Sequence, residues 1–325
     1  MRRLNPYVRA FGRRELTLAG ASVVAIIVFA TTSPYFATAD NLATVLRNST
    51  ELLLVSLGMT LLLAMGGIDV SVGMVLGLAA IAVGRLLQAE VDPILAALAG
   101  PLAGAVLGLI TGLVVVFANI PAIVATLGLL GVYRAAIFLA LGGGWLSGLP
   151  TGLTTLLSSK FLGIPVAALV VAAAYGAVWA ALRRTHYGPH LLAIGQSEDA
   201  ARLAGITVRR TRIATFVLSG ALCGLAATFY VGTYRNVEMT VGSTLALDAI
   251  AAVVLGGTSI LGGRCSILGT ALGVVLLRLL QNGLLMSGVP SLWQTVVTGV
   301  LLLTVLGLER VGGLMPSMHR AGRSA

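Results

Sequence analysis

Charge is what this chain has least of. Of its 325 residues only 10% are charged, and a single lysine, Lys160, stands among 20 arginines. A soluble domain is about 25% charged, so an aqueous surface cannot be built from this sequence. Cysteine is scarce too. Cys223 and Cys265 stand alone with no Cys-x-x-Cys pair, which excludes a disulfide scaffold and a thiolate metal site. There is no Gly-x-x-x-x-Gly-Lys-Ser/Thr loop, and Lys160 has no glycine frame, so the cradle for nucleotide phosphates is missing. His-Glu-x-x-His and Gly-x-Ser-x-Gly are also absent. No catalytic residue, metal site or cofactor is therefore expected. His186 and His190 lie four apart, but Gly188 and Pro189 between them are expected to break a helix there, leaving loop histidines.

What is present is apolar. Hydrophobic residues make up 58% of the chain, mean hydropathy is +1.00, and there are 41 glycines. This composition predicts an all-α polytopic membrane protein, in which glycine is more frequent than in soluble helices. The net charge of +10 suggests nucleic acid at first sight, but its placement argues against such a partner. Arginines cluster at Arg2, Arg3, Arg9, Arg13 and Arg14, then at Arg183, Arg184, Arg202, Arg209, Arg210 and Arg212, then at Arg310, Arg320 and Arg323. Basic blocks of this kind stay on the cytosolic side of a membrane.

A membrane helix needs about 20 mostly apolar residues. That window finds spans near 16–36, 45–65, 70–88, 93–117, 121–141, 162–182, 213–232, 247–261, 266–286 and 291–308. With about ten crossings, all three arginine blocks fall on one side and both termini are cytoplasmic. The expected organisation is a tail over 1–15, one transmembrane domain over 16–308 with a cytoplasmic loop at 183–212, and a second tail over 309–325. Arg13-Arg14 before an apolar run and Ala37-Thr38-Ala39 after it mimic a cleavable export signal. Removing that span would strand the middle loop or the C-terminus on the wrong side, so it is expected to be retained.

Gly100, Gly104, Gly108 and Gly112 recur every four residues, as do the pairs Gly73/Gly77, Gly220/Gly224 and Gly269/Gly273. Fours share a helix face, so these are grooves where another helix can approach closely; a substrate passage along the groove is the second reading. An internal echo runs through the chain. Leu62–Gln88 carries Gly66-Gly67 and ends Arg85-Leu86-Leu87-Gln88, while Val253–Gln281 carries Gly256-Gly257 and ends Arg278-Leu279-Leu280-Gln281. Two halves on one plan and chance similarity of Leu/Gly-rich helices both fit it.

Ionisable groups inside the spans are Glu51, Asp69, Arg85, Arg134, Asp248 and Arg278. None of the carboxylates falls clearly at the midplane, which counts against ion coupling. Without a carboxylate relay or a nucleotide site, the chain is either a passive channel or takes its energy from a partner. The loop suggests the partner. Ser197 can cap a helix beginning Glu198-Asp199-Ala200-Ala201-Arg202-Leu203-Ala204, which Gly205 terminates. This helix is expected to present Ala200, Ala201, Leu203 and Ala204 to the cytosol, where it either lies on lipid or docks in another protein's groove.

The segment Gly188 to Ile206 resembles the cytoplasmic coupling segment of ribose-type, binding-protein-dependent ABC importer permeases. Gly67-Ile68-Asp69-Val70-Ser71-Val72-Gly73 is similar to that family's signature, and Ile120–Gly128 and Leu255–Gly263 match further stretches in family order. Pro189 and Gln196-Ser197 depart from it, standing where the family has a basic residue and an Asn. Within the family, Ile120–Gly131, Tyr133-Arg134 and Gly142–Trp145 with Gly148-Leu149-Pro150 look most like the autoinducer-2 import type. Leu129 and Ala135 depart from that type, and rhamnose permeases share part of the likeness.

The resemblance implies an inner-membrane, multi-pass subunit that pairs with a second permease, the same or paralogous. It also implies a cytosolic ATPase that grips the coupling residues Gly195, Glu198, Asp199, Ala200, Ala201, Arg202, Leu203, Ala204 and Gly205, and a periplasmic substrate-binding protein. The cargo it implies is sugar-like: autoinducer-2, or a monosaccharide such as rhamnose or ribose. Gly67, Asp69, Gly73, Gly256, Gly257, Gly262 and Gly263 are its structural signature. Ser71, Asn119, Thr126 and Tyr133 are candidates for the substrate pathway, since neutral hydroxyl-rich cargo needs hydrogen-bonding groups; helix-packing hydroxyls are the plainer reading of each. Asp69 reads as a cap before the third span or as a substrate ligand. Trp145 reads as a lipid anchor or a contact for the binding protein. The rival class is a self-sufficient secondary carrier or channel for a small neutral solute.

Overall fold

The structure is a computed structural model that describes residues 12–290 and 292–314. Arg2, Arg3 and Arg9 of the first basic block and Arg320 and Arg323 of the third lie outside the described residues.

In chain order the helices are α1 (Arg13–Thr32), α2 (Ala39–Asn48), α3 (Thr50–Ala64), α4 (Val72–Gln88), α5 (Pro93–Phe117), α6 (Ala122–Leu141) and α7 (Gly152–Ser158). A two-residue hairpin follows, β1 (Lys160–Phe161) against β2 (Ile164–Pro165), antiparallel with Phe161 opposite Ile164. Then come α8 (Val166–Arg184), α9 (Tyr187–Gln196), α10 (Glu198–Leu203), α11 (Val208–Tyr234), α12 (Leu245–Leu255), α13 (Ile267–Met286) and α14 (Leu292–Leu314).

Among the described residues six helices are long and apolar enough to cross a bilayer: α1, α5, α6, α8, α11 and α13. A seventh crossing arises if α2 and α3, bent by 43° to one another, act as one. The molecule is a polytopic helical membrane protein.

The span expected over 247–261 is corrected. Helix α12 stops at Leu255 after 11 residues, about 16 Å of rise against a hydrocarbon core of about 30 Å. The cause is local. Gly257 takes φ +97° and the amides of Gly257 and Thr258 turn back to the carbonyls of Val254 and Val253, a Schellman stop. Helix α3 ends the same way: Gly66 has φ +80°, and the amides of Gly66 and Gly67 return to Leu63 and Leu62. The echo heard in the sequence is therefore a repeated helix–stop–helix device.

Both breaks are sheltered by protein, the condition for irregular backbone in a membrane. Asp69, Ser71, Thr258 and Ser259 are all buried. Side chains there satisfy backbone amides: Ser71 N–H by Asp69 Oδ1 at 2.8 Å, Val70 N–H by Thr126 Oγ1 at 3.2 Å, and Ser266 N–H by Thr258 Oγ1 at 3.3 Å.

Helix α3 is the axis of the bundle. Its sequence is apolar on every face, and Leu52, Leu54, Val55, Leu57, Met59 and Leu61–Leu63 are fully buried. An all-round apolar helix belongs in a core. The outer helices invert the usual pattern, with Val23, Ile27, Leu98, Leu102, Val106, Val124 and Leu139 exposed as lipid-facing surface.

The glycine grooves act as packing devices. A Cβ at Gly100, Gly104 or Gly108 of α5 would overlap the carbonyl of Gly224, Gly220 or Phe216 of α11, and the reverse holds at Gly220 and Gly224. The two backbones touch because no side chain separates them. On α13, Gly269 meets the Gly256 carbonyl in the same way and Gly273 the Ala252 carbonyl, while Gly283 receives the Phe29 ring of α1.

Candidate functional site

The connection between α8 and α11 folds as two short helices set against the bundle end. Helix α9 contains Gly188, Pro189 and His190, so the expected break there is corrected. Pro189 occupies the first helical turn, where its missing N–H has no intrahelical partner to lose. His186 and His190 stack with ring centroids 6.3 Å apart. Among the described residues no group of three or more His, Cys, Asp or Glu comes together.

Helix α9 is anchored along its buried face by Leu191, Leu192 and Ile194. At its start the Tyr187 hydroxyl pairs with Thr215 Oγ1 of α11 at 2.9 Å, and burial pushes the Tyr187 phenol up to about 12. At its end Gly195 lies against the backbone of two other segments: a Cβ there would overlap the Ala64 carbonyl and meet the Gly263 amide. The Gly263 amide itself donates to Ala64 O at 2.9 Å. The ends of α3, α9 and the 256–266 turn thus share one backbone junction, and Gly262 (φ +87°) and Gly263 (φ +76°) bend the third strand into it.

Helix α10 forms as the sequence predicts. Ser197 Oγ accepts from Ala200 N–H at 3.3 Å, and Gly205 at φ +79° ends it with amides of Gly205 and Ile206 turned to Arg202 and Ala201. Glu198 pairs with both Arg202 and Arg212, tying α10 to the start of α11. One expectation is corrected. Ala201 is 3% exposed and packs inward, whereas Leu203 is 91% exposed. The outward face is therefore Asp199, Ala200, Arg202, Leu203 and Ala204. Helix periodicity gave no side for Ala201 because three small or apolar positions in six, two of them adjacent alanines, leave the buried stripe undefined.

The signature residues divide by cause. A Cβ at Gly73 would overlap the Gly242 carbonyl, and at Gly256 the backbone of Gly269 and Thr270. Gly257 carries the positive φ and also receives the Arg14 side chain, whose Nη2 donates to Val254 O at 2.9 Å. Gly67 meets only ordinary van der Waals neighbours; the left-handed residue is Gly66 beside it. Asp69 Oδ1 accepts from both the amide (2.8 Å) and the hydroxyl (2.6 Å) of Ser71. It closes the turn entering α4.

Of the pathway candidates, Ser71, Thr126 and Tyr133 are buried in helix packing. Thr126 Oγ1 lies 3.3 Å from the Ile68 carbonyl, and the Tyr133 hydroxyl lies 3.1 Å from Thr111 Oγ1 and donates to Leu107 O at 3.2 Å. Asn119 is not gathered with them. It sits exposed at φ +55° in the turn from α5 to α6. Trp145 is exposed beyond α6. The sequence named Asp248, Arg278 and Gln281 separately and did not bring them together; the structure joins Asp248 of α12 to Gln281 of α13.

A bundle of lipid-exposed helices wrapped around a buried central helix, with a docked pair of short helices at one end, has the build of a membrane transport subunit. The family model described as branched-chain amino acid transport system / permease component matches residues 41–306. The ribose import permease protein of Bacillus subtilis (strain 168) is 36% identical over 312 residues, covering 95% of this chain and 93% of that protein. The autoinducer 2 import system permease protein LsrC of Klebsiella pneumoniae is 39% identical over 312 residues, covering 96% and 90%. The ribose import permease protein of Escherichia coli (strain K12) is 34% identical over 290 residues, covering 87% and 89%. No solved structure matches. The chain belongs to this permease family, as a ribose-type ABC importer permease and a multi-pass protein of the inner membrane.

Proposed function

We propose that this chain is the translocating subunit of a sugar importer and that α10 is the lever through which a cytosolic ATPase moves it. The supporting observation is the backbone junction at Gly195. Helix α9 is packed without intervening side chains on the end of the central helix and on the 256–266 turn. A push on α10 therefore reaches both breaks in the bundle, and packed elements move as units rather than bending locally.

The reading extends to the whole assembly. Ten crossings are formed by α1, the α2–α3 pair, α4, α5, α6, α8, α11, α12 with the segment leading into it, α13 and α14. Both termini and the 183–212 loop face the cytosol, which gathers the basic blocks on one side. The transmembrane domain covers 16–308 between the two tails. The partners are ATPase subunits, a second permease subunit, and a periplasmic binding protein that hands over a sugar-like cargo; the named relatives carry ribose and autoinducer 2, and rhamnose has the same chemistry. Ser71, Thr126 and Tyr133 act on that route by holding the α4 entry turn and the α5–α6 packing, and Asn119 acts at the cytosolic rim.

The test is ATP-dependent sugar uptake with Leu203→Asp in the complete importer. Loss of uptake with retained folding and membrane insertion is the expected result. Unchanged uptake, or uptake by the wild-type subunit alone driven by an ion gradient, would overturn the reading in favour of a self-sufficient carrier.

A further inference from the structure

The repeated Arg-Leu-Leu-Gln folds identically in both places. Arg85 Nη1 donates to Gln88 Oε1 at 3.2 Å, and Arg278 Nη1 donates to Gln281 Oε1 at 2.9 Å. The surroundings differ. The first pair is exposed at the end of α4, and Arg85 Nη2 donates to the Ala140 carbonyl at 3.1 Å. The second pair borders a cavity of about 300 Å³ between α12, α13 and the start of α14, lined by Thr244, Asp248, Arg278, Gln281, Gln294 and Thr295 with Leu292 as its apolar member.

Gln281 organises that cavity. Its side-chain amide donates to Asp248 Oδ1 at 3.4 Å and to Thr298 Oγ1 at 3.3 Å while its carbonyl receives Arg278. Gln281, Asp248 and Thr298 are all buried. Arg278 Nε is also buried and has no hydrogen-bond partner. A buried guanidinium N–H left unmade is costly, and an ionisable group within a membrane domain marks function. Arg278 and Asp248 both line the cavity, so it has no single sign that would suit a free ion. It offers guanidinium N–H donors, one carboxylate, two side-chain amides and hydroxyls in one small space. That is the inventory for hydroxyl groups, which donate and accept at once. Its volume lies at the small end of ligand pockets, the scale of a single sugar ring.

We propose that the cavity around Arg278, Gln281 and Asp248 is a binding subsite for a neutral, polyhydroxylated cargo of monosaccharide size. Arg278 and Asp248 bond cargo hydroxyls, and Gln281 holds both in position. The subsite rests on the importer reading above, in which this end of α13 faces outward.

The complete importer, with its partner subunits, is reconstituted in liposomes. The probe is whichever of ribose, rhamnose and autoinducer-2 the wild-type complex takes up with ATP. Thr295→Cys places a thiol at the exposed rim, and the native Cys223 and Cys265 are buried. A membrane-impermeant maleimide applied from outside is expected to label it, and the probe is expected to slow labelling severalfold while proline at equal osmolarity does not. Arg278→Gln is expected to abolish that protection at unchanged thermal stability. Gln281→Met is expected to raise the uptake KM about tenfold. Should Arg278→Gln fail to fold, Gln294→Leu at the rim replaces it. ATP-dependent uptake with labelling indifferent to the probe, or with all variants at wild-type KM, overturns the subsite and leaves the importer reading standing. Absence of ATP-dependent uptake of any probe overturns the importer reading and the subsite with it.

Discussion

The amide of Gly263 donates to the carbonyl of Ala64 across 2.9 Å, and the Cα of Gly195 lies against both residues. Segments far apart in sequence are joined there by backbone alone. Any side chain introduced at the contact has nowhere to go but between them.

Gly195→Leu is therefore expected to lift α9 off the bundle. Overpacking of this kind costs about 1–3 kcal/mol and should lower the thermal midpoint of the detergent-solubilised protein by several degrees. Gly128→Ala is the control, because nothing lies within 4 Å of that position. It should leave the midpoint unchanged or raise it, since alanine is favoured over glycine in a helix by about 1 kcal/mol.

Leu203 and Ala201 should separate coupling from folding. Leu203→Asp touches a fully outward side chain, so stability should move by no more than about 0.5 kcal/mol while uptake falls. Ala201→Asp buries an unpaired carboxylate and should reduce the yield of folded protein. Size-exclusion profiles and uptake rates measured on the same preparations distinguish the two effects. Equal profiles for both variants would contradict the inward packing of Ala201.

Gly104 and Gly220 face one another across α5 and α11. Gly104→Val and Gly220→Val are each expected to force the helices apart and destabilise the fold. The double variant should cost less than the sum of the two, because the first substitution has already opened the gap. Additive losses measured by thermal unfolding would show that the helices do not meet there.

Ser266 joins α13 to α1. Its Oγ accepts from the Gly269 amide at 3.0 Å as the cap of α13 and donates to Glu15 Oε1 of α1 at 2.8 Å. Ser266→Ala should cost about 1 kcal/mol from the cap alone. In a double-mutant cycle with Glu15→Gln, a non-zero coupling energy is expected, read from denaturation midpoints of the four proteins.

Much of this architecture is legible along the chain because its causes are local. Apolar runs long enough for a bilayer mark α1, α5, α6, α8, α11 and α13, and glycines at four-residue spacing mark the surfaces of α5 and α11 that meet. Ser197 and Gly205 bound α10 because a cap and a left-handed stop each need one particular residue. The window method overran at α12, where it counted Gly256–Leu261 as span. Apolar composition is the same for a helix and for a sheltered turn. The His186–His190 segment failed for a similar reason: proline breaks a helix interior but is accepted in the first turn, and the sequence does not say where the first turn begins.

The candidate site divides along the same line. Composition and periodicity alone determined that the chain lives in a bilayer and carries a capped helix in its longest basic loop. Each of these depends on residues adjacent or one turn apart. Only the tertiary structure decided that Ala201 turns inward and Leu203 outward, that Asn119 lies away from Thr126 and Tyr133, and that Asp248 reaches Gln281 beside an unsatisfied Arg278 Nε. Those facts depend on which faces of remote helices meet, and that is set by backbone approach at glycines such as Gly104, Gly195 and Gly256, where the absence of a side chain names no partner until the bundle is assembled.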